Sequence, residues 1–127
     1  MNFSSFLAVG LGSAIGAWLR WGLGLALNAV FPLLPLGTLA ANLIGGYLVG
    51  VAVTVFHLQA DLPPELKLFF ITGLLGGLTT FSTFSAEVVA LIQRAEYAWA
   101  CGAAVLHLGG SLLLTGLGIY TVLQLAK

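Results

Sequence analysis

The residues whose types and spacing can do chemistry gather in one segment, Gly73-Leu74-Leu75-Gly76-Gly77-Leu78-Thr79-Thr80-Phe81-Ser82-Thr83-Phe84-Ser85. Glycine is costly inside a helix, and β-branched threonine is not ideal there. A cluster of both within an apolar run predicts a backbone break. Non-helical backbone at membrane depth survives only when it is buried in protein or lines a cavity. Carbonyls freed at such a break can bind a cation. A tight helix crossing lined by small residues is the competing reading, and residue types alone leave the two evenly balanced.

Phe81 and Phe84 are three apart and share a helix face. Aromatics at this spacing usually pack. They can also present their positive ring edges to a small anion without confronting it with a full charge. Ser82 and Thr83 add hydroxyl donors beside them. Asn42 is an amide at membrane depth, either an interhelical hydrogen-bonding group or a pore-lining donor. Ser111 and Thr115 are four apart on one face, with hydroxyls that either bond their own helix carbonyls or form a polar track. His107 lies one turn from Ser111 and, with no nearby carboxylate, is a weak metal candidate. Glu87 is an ionisable residue deep in an apolar run, which is a functional hypothesis or an interfacial, solvated group. Arg20, between Trp18 and Trp21, reads as an interfacial anchor.

No nucleotide-binding loop, metal-ligand cluster or Ser-His-Asp set is evident, and no base stands beside a hydroxyl. The chain therefore does not read as an enzyme. Formal net charge is zero, which offers no field for nucleic acid. The single cysteine, Cys101, has no partner for a disulfide or a redox pair.

The elements that position these residues follow from composition. Of 127 residues, 60% are hydrophobic and only 6% charged, whereas a soluble domain is nearer a quarter charged. Mean hydropathy is +1.10. The 17 glycines suit membrane helices, whose backbones approach closely through small residues. A helical span needs about 20 apolar residues. Four such spans are expected, over about 3–23, 36–55, 66–91 and 98–122, in a single transmembrane domain, with the third span broken near its middle. Phe31-Pro32-Leu33-Leu34-Pro35 and the stretch containing Pro63-Pro64 interrupt the helices. Gln93-Arg94-Ala95-Glu96 is a short polar turn. The stretch from Met1 to Leu19 has no Lys or Arg, so the first apolar run reads as part of the mature protein rather than a secretory signal. Gly12 and Gly16, like Gly46 and Gly50, form GxxxG packing faces.

An even number of spans puts both termini on one side. Lys67 and Lys127 then share that side, and Arg20 and Arg94 the other. Loop Lys and Arg set orientation. With no bias between the sides, dual insertion and an antiparallel homodimer become plausible.

These segments together resemble the Fluc (CrcB) family of fluoride channels over nearly the whole chain. The resemblance rests on Gly12 to Arg20-Trp21, on Gly37-Thr38-Leu39 with Asn42 and Gly45, and above all on Gly73 to Ser85 with Glu87. It implies an all-α, four-helix membrane protein in the inner (plasma) membrane, assembled as an antiparallel, dual-topology homodimer. It further implies passive fluoride export through two pores, which lowers cytoplasmic fluoride. Phe81 and Phe84 would line the pores, with Asn42, Ser82, Thr83, Ser111 and Thr115 supplying hydrogen bonds. A structural sodium ion would sit at the dimer centre on the backbone carbonyls of Gly76 and Thr79. Arg20 matches the family's first-span arginine, and Trp21 stands where the family often has tyrosine. The alternative is a small four-span, dual-topology multidrug or cation transporter. Such proteins need an acidic residue in the first span, and this one has none. A non-transporting scaffold held by GxxxG faces leaves Gly76 to Phe84 unexplained.

Overall fold

A computed structural model describes residues 2–127. Four helical stretches are long and apolar enough to cross a membrane: Phe3–Val30, Leu36–Leu58, Pro64–Gln93 and Tyr97–Leu125. All four expected spans are present, most of them with ends a few residues longer than expected.

The first helix begins at Asn2, whose side chain accepts the Ser5 N–H at 2.8 Å, and runs unbroken to Leu27. It therefore continues about two turns past Arg20. The Trp18-Arg20-Trp21 group does not end the helix. A short 3-10 turn over Asn28–Val30 and the Pro32/Pro35 corner lead into the second helix. That helix has no cap from its own N-cap residue, Pro35. Asn28 takes over the task, accepting the Thr38 N–H at 3.1 Å.

The third span is the irregular one. It begins with Pro64 in the first turn, where the missing N–H does no harm. From Leu68 to Leu75 it is wound as a π-helix, a wide-turn geometry that sequence patterns do not announce. Gly76–Leu78 returns to α geometry. The helix then stops, as the glycine and threonine content predicts. Thr79 and Thr80 are extended, at φ −84°, ψ 155° and φ −149°, ψ 117°. A second half-helix, Phe81–Gln93, restarts from Thr80, whose hydroxyl accepts the Thr83 N–H at 3.1 Å.

Ala95 closes this half with a positive φ of 59°. The Ala95 and Glu96 N–H groups return to the carbonyls of Ile92 and Leu91, the Schellman pattern of a helix end.

Small residues set the packing. The first span against the third, chiefly its π-wound segment, and the second against the fourth make the most extensive contacts. A side chain on Gly12 or Gly16 would run into the backbone of Phe69 or Leu74. Gly46 and Gly50 accommodate the fourth span at Ser111 and Thr115, and Gly118 accommodates Tyr47 in return. Both GxxxG pairs are helix-packing faces, as the sequence predicts. Few large side chains are buried. The core clusters centre on Leu34, Leu91, Ala100 and Ala103, and on Ala41, Leu75 and Leu78, while a long series of Leu, Val, Phe and Trp faces outward. That distribution suits lipid as the surrounding solvent.

Candidate functional site: a broken helix held by Asn42

The break leaves backbone polar groups that a continuous helix would pair. Asn42 of the second span meets the demand at Thr80. Its Oδ1 accepts the Thr80 N–H at 2.7 Å, and its Nδ2 donates to the Thr80 carbonyl at 3.1 Å. The same Nδ2 reaches Nδ1 of His107 on the fourth span at 2.9 Å. One amide thus ties three spans together. Both of its hydrogens are committed, so the expected free pore-lining donor at Asn42 is, in this arrangement, an interhelical clamp.

Because the Thr80 N–H goes to Asn42, it does not bond the carbonyl of Gly76 one turn earlier. The Thr83 N–H goes to the Thr80 hydroxyl, which likewise releases the Thr79 carbonyl. The two carbonyls singled out for cation binding are thus among those at the break whose helical partners have turned elsewhere. Carbonyl oxygens suit a hard cation. Gly76 has an ordinary helical backbone (φ −63°, ψ −38°), and a Cβ there would come no closer than 3.6 Å to Ile71 O. Its neighbour Gly77 is the crowded one, where a Cβ would lie 2.5 Å from the Ser13 carbonyl oxygen. Among the described residues, no group of three His, Cys, Asp or Glu is placed to hold a metal.

A cavity of about 420 Å³ adjoins the break. Asn42, Gly76, Thr79, Phe81, Phe84 and Ser111 border it, together with His107. The Phe81 and Phe84 rings stand edge to face, with centroids 5.6 Å apart at 71°. Phe81 is 79% exposed, so nothing in the single chain covers it. Thr115 lies one turn beyond Ser111. Its hydroxyl donates to the Gly46 carbonyl at 2.7 Å, and that of Ser111 approaches the Asn42 carbonyl at 3.5 Å. Both therefore reach across to the second span rather than back to their own helix. Ser82 is exposed, with its hydroxyl 3.4 Å from that of Thr80.

Thr83 faces a different space. A second cavity of about 300 Å³ is bordered by Arg20, Trp21, Asn28, Thr38, Thr80 and Thr83. Arg20 Nε donates to the Gly77 carbonyl at 3.1 Å, satisfying an end of the first half-helix. The Thr38 hydroxyl donates to Glu87 at 2.7 Å, so these two polar residues satisfy each other between spans. The residues expected to form one pathway thus divide between two cavities that meet at Thr80. Sequence reasoning left out Asn28, Thr80 and the Thr38–Glu87 pair, and set His107 aside. A lone Thr or His gives no periodic signal, and its partners stand tens of residues away.

The chain matches the family described as CrcB-like protein, Camphor Resistance (CrcB), over residues 7–119. It is 59% identical over 127 residues, 100% of its length and 99% of the other chain, to the fluoride-specific ion channel FluC of Nitrosospira multiformis. It is 60% identical over 92% of both chains to the protein of that name from Pseudomonas putida. The corresponding figure for Dechloromonas aromatica is 63%, over 93% of this chain and 87% of the other. The matched region takes in the break, the clamp and most of every span, and the chain belongs to the CrcB family.

Proposed function

We propose that this protein is a fluoride-selective channel that lets fluoride leave the cell passively and so lowers its cytoplasmic concentration. Its full-length similarity to proteins named fluoride-specific ion channel carries this reading. The cavity supplies the physical reason. Fluoride is small and strongly hydrated, so a pore must replace its water with donors. A channel must also hold the ion weakly enough to release it. Ring edges of Phe81 and Phe84 and the hydroxyls of Ser82, Thr83 and Ser111 meet both demands without a full positive charge on the path, and Thr115 joins them when its hydroxyl turns from the Gly46 carbonyl. The positive end of the half-helix that starts at Phe81 favours an anion nearby. Asn42 borders the path and fixes the backbone that forms it. Arg20, in the second cavity with Thr83, supplies positive potential at a distance.

The working unit is an antiparallel homodimer with two pathways, inserted in the inner membrane in both orientations. Exposure of Phe81 and of the Gly76 face fits covering by a second copy. Lys67 and Lys127 oppose Arg94 at the loops, with Arg20 engaged inside the span, so orientation signals are weak. The released Gly76 and Thr79 carbonyls of two chains would hold a structural sodium ion, which supplies fixed positive charge between the pathways.

Growth tests the reading in cells. A fluoride-hypersensitive bacterium expressing this chain should grow at otherwise inhibitory fluoride concentrations, and one expressing the Phe81→Ile variant should not. Equal sensitivity with and without well-expressed wild-type chain would overturn it.

A further inference from the structure

Asn42 has one workable orientation. A flipped amide would set its oxygen against the Thr80 carbonyl and its NH₂ against the Thr80 N–H. With Oδ1 fixed by the Thr80 N–H at 2.7 Å, the group facing His107 Nδ1 at 2.9 Å is Nδ2, which has only hydrogens to give. Nδ1 of His107 is therefore the acceptor. A neutral imidazole with a bare Nδ1 carries its proton on Nε2. That Nε2–H is buried and has no hydrogen-bond partner among the described residues. A buried donor left unpaired is costly and demands a partner. The ring that carries it borders the same cavity as Phe81, Phe84 and Ser111. Its centroid is 4.5 Å from that of the Phe84 ring, at 30°, and it sits one helical turn from Ser111.

We propose that His107 is a further fluoride-binding residue, whose Nε2–H is oriented by Asn42 and donates to the ion when the covering side chains, the Phe84 ring foremost, move aside. The inference rests on the fluoride reading above. A neutral ring N–H matches the demand already placed on the pathway, because it donates to a small hard anion without trapping it. Asn42 then serves twice. It clamps the broken backbone, and it sets which nitrogen of His107 bears the proton.

Two measurements on the full-length protein in lipid test the assignment. The chain has two histidines, His57 and His107, so ¹⁵N-histidine spectra of wild type and His107→Gln identify the ring. The Nε2 resonance should be that of a protonated nitrogen and Nδ1 that of a bare one. Nε2 should shift saturably with added fluoride and not with chloride. A proton on Nδ1, or an Nε2 signal indifferent to fluoride, overturns the proposal and leaves a water or a second chain as the partner. The second measurement is flux. His107→Gln keeps an N–H donor near the Nε2 position and should stay within about threefold of wild type. His107→Asn keeps an acceptor towards Asn42 but is too short to place a donor at the Nε2 position. It should lose about tenfold or more, as expected for one hydrogen bond to a charged group, while still assembling. Wild-type flux in His107→Asn, or equal failure of both assembled variants, overturns the role of His107 alone. Wild type that passes no fluoride overturns the channel reading and this inference with it.

Discussion

Asn42 holds the Thr80 peptide from both sides, accepting its N–H at 2.7 Å and donating to its carbonyl at 3.1 Å. A break in a membrane helix is tolerable only when its backbone groups are paired, and this one side chain pairs two of them.

Removing the clamp should therefore damage the fold as well as function. Asn42→Ala leaves the buried Thr80 N–H unpaired, at about 1–3 kcal/mol, and removes one bond to its carbonyl. The variant should unfold at lower temperature in detergent and lose fluoride flux. Asn42→Asp keeps the acceptor for the Thr80 N–H but sets an oxygen against the Thr80 carbonyl, so it should not restore wild-type stability. An alanine variant as stable as wild type would mean that the break is held by something else.

The rings test the pathway without touching the clamp. Phe81→Ile and Phe84→Ile keep apolar bulk and remove the ring edge. Each should assemble normally and lose about tenfold or more in fluoride flux, corresponding to a ring contact of about 1.5 kcal/mol. Normal conduction by both variants would reduce the rings to packing.

Gly76 and Gly77 are neighbours with opposite tolerances. A Cβ on Gly77 would press on the Ser13 carbonyl at 2.5 Å, whereas one on Gly76 meets only Ile71 O at 3.6 Å. Gly77→Ala should lower stability by about 1–3 kcal/mol, the usual cost of overpacking. Gly76→Ala should fold as a monomer unit, so any defect it shows should appear in dimer assembly or in sodium dependence. Thermal unfolding followed by size-exclusion chromatography separates the two outcomes.

What the sequence made legible follows from which interactions are local. Runs of about 20 apolar residues announce the spans, and glycine beside threonine announces the break. GxxxG spacing announces the packing faces. Partnerships across spans leave no such trace. Asn42 and Thr80 are separated by 38 residues, and Asn42 and His107 by 65. Neither pairing has a period to read. Trp18, Arg20 and Trp21 suggested that the first helix ends near residue 23, while it runs on to Leu27. Which of Gly76 and Gly77 faces a neighbour depends on the phase of the helix, and the π-wound segment just before them shifts that phase.

Ala95 offers a change that should stabilise. It holds φ at 59° in the Schellman turn, a conformation that disfavours any Cβ by about 1–2 kcal/mol. Ala95→Gly should raise the unfolding midpoint without altering flux, a gain of about 1 kcal/mol after the entropy glycine adds to the unfolded chain. A lower midpoint would show that the Cβ makes contacts outweighing the strain.

Fluoride efflux from liposomes holding the purified protein tests the central claim most directly. The vesicles are loaded with equal potassium fluoride and potassium chloride, at the same pH inside and out, without a sodium gradient, and potassium is made permeant to balance charge. A fluoride electrode should record rapid release while chloride stays inside. Retention of fluoride, release of both anions together, or release only after a proton gradient is imposed would contradict the account.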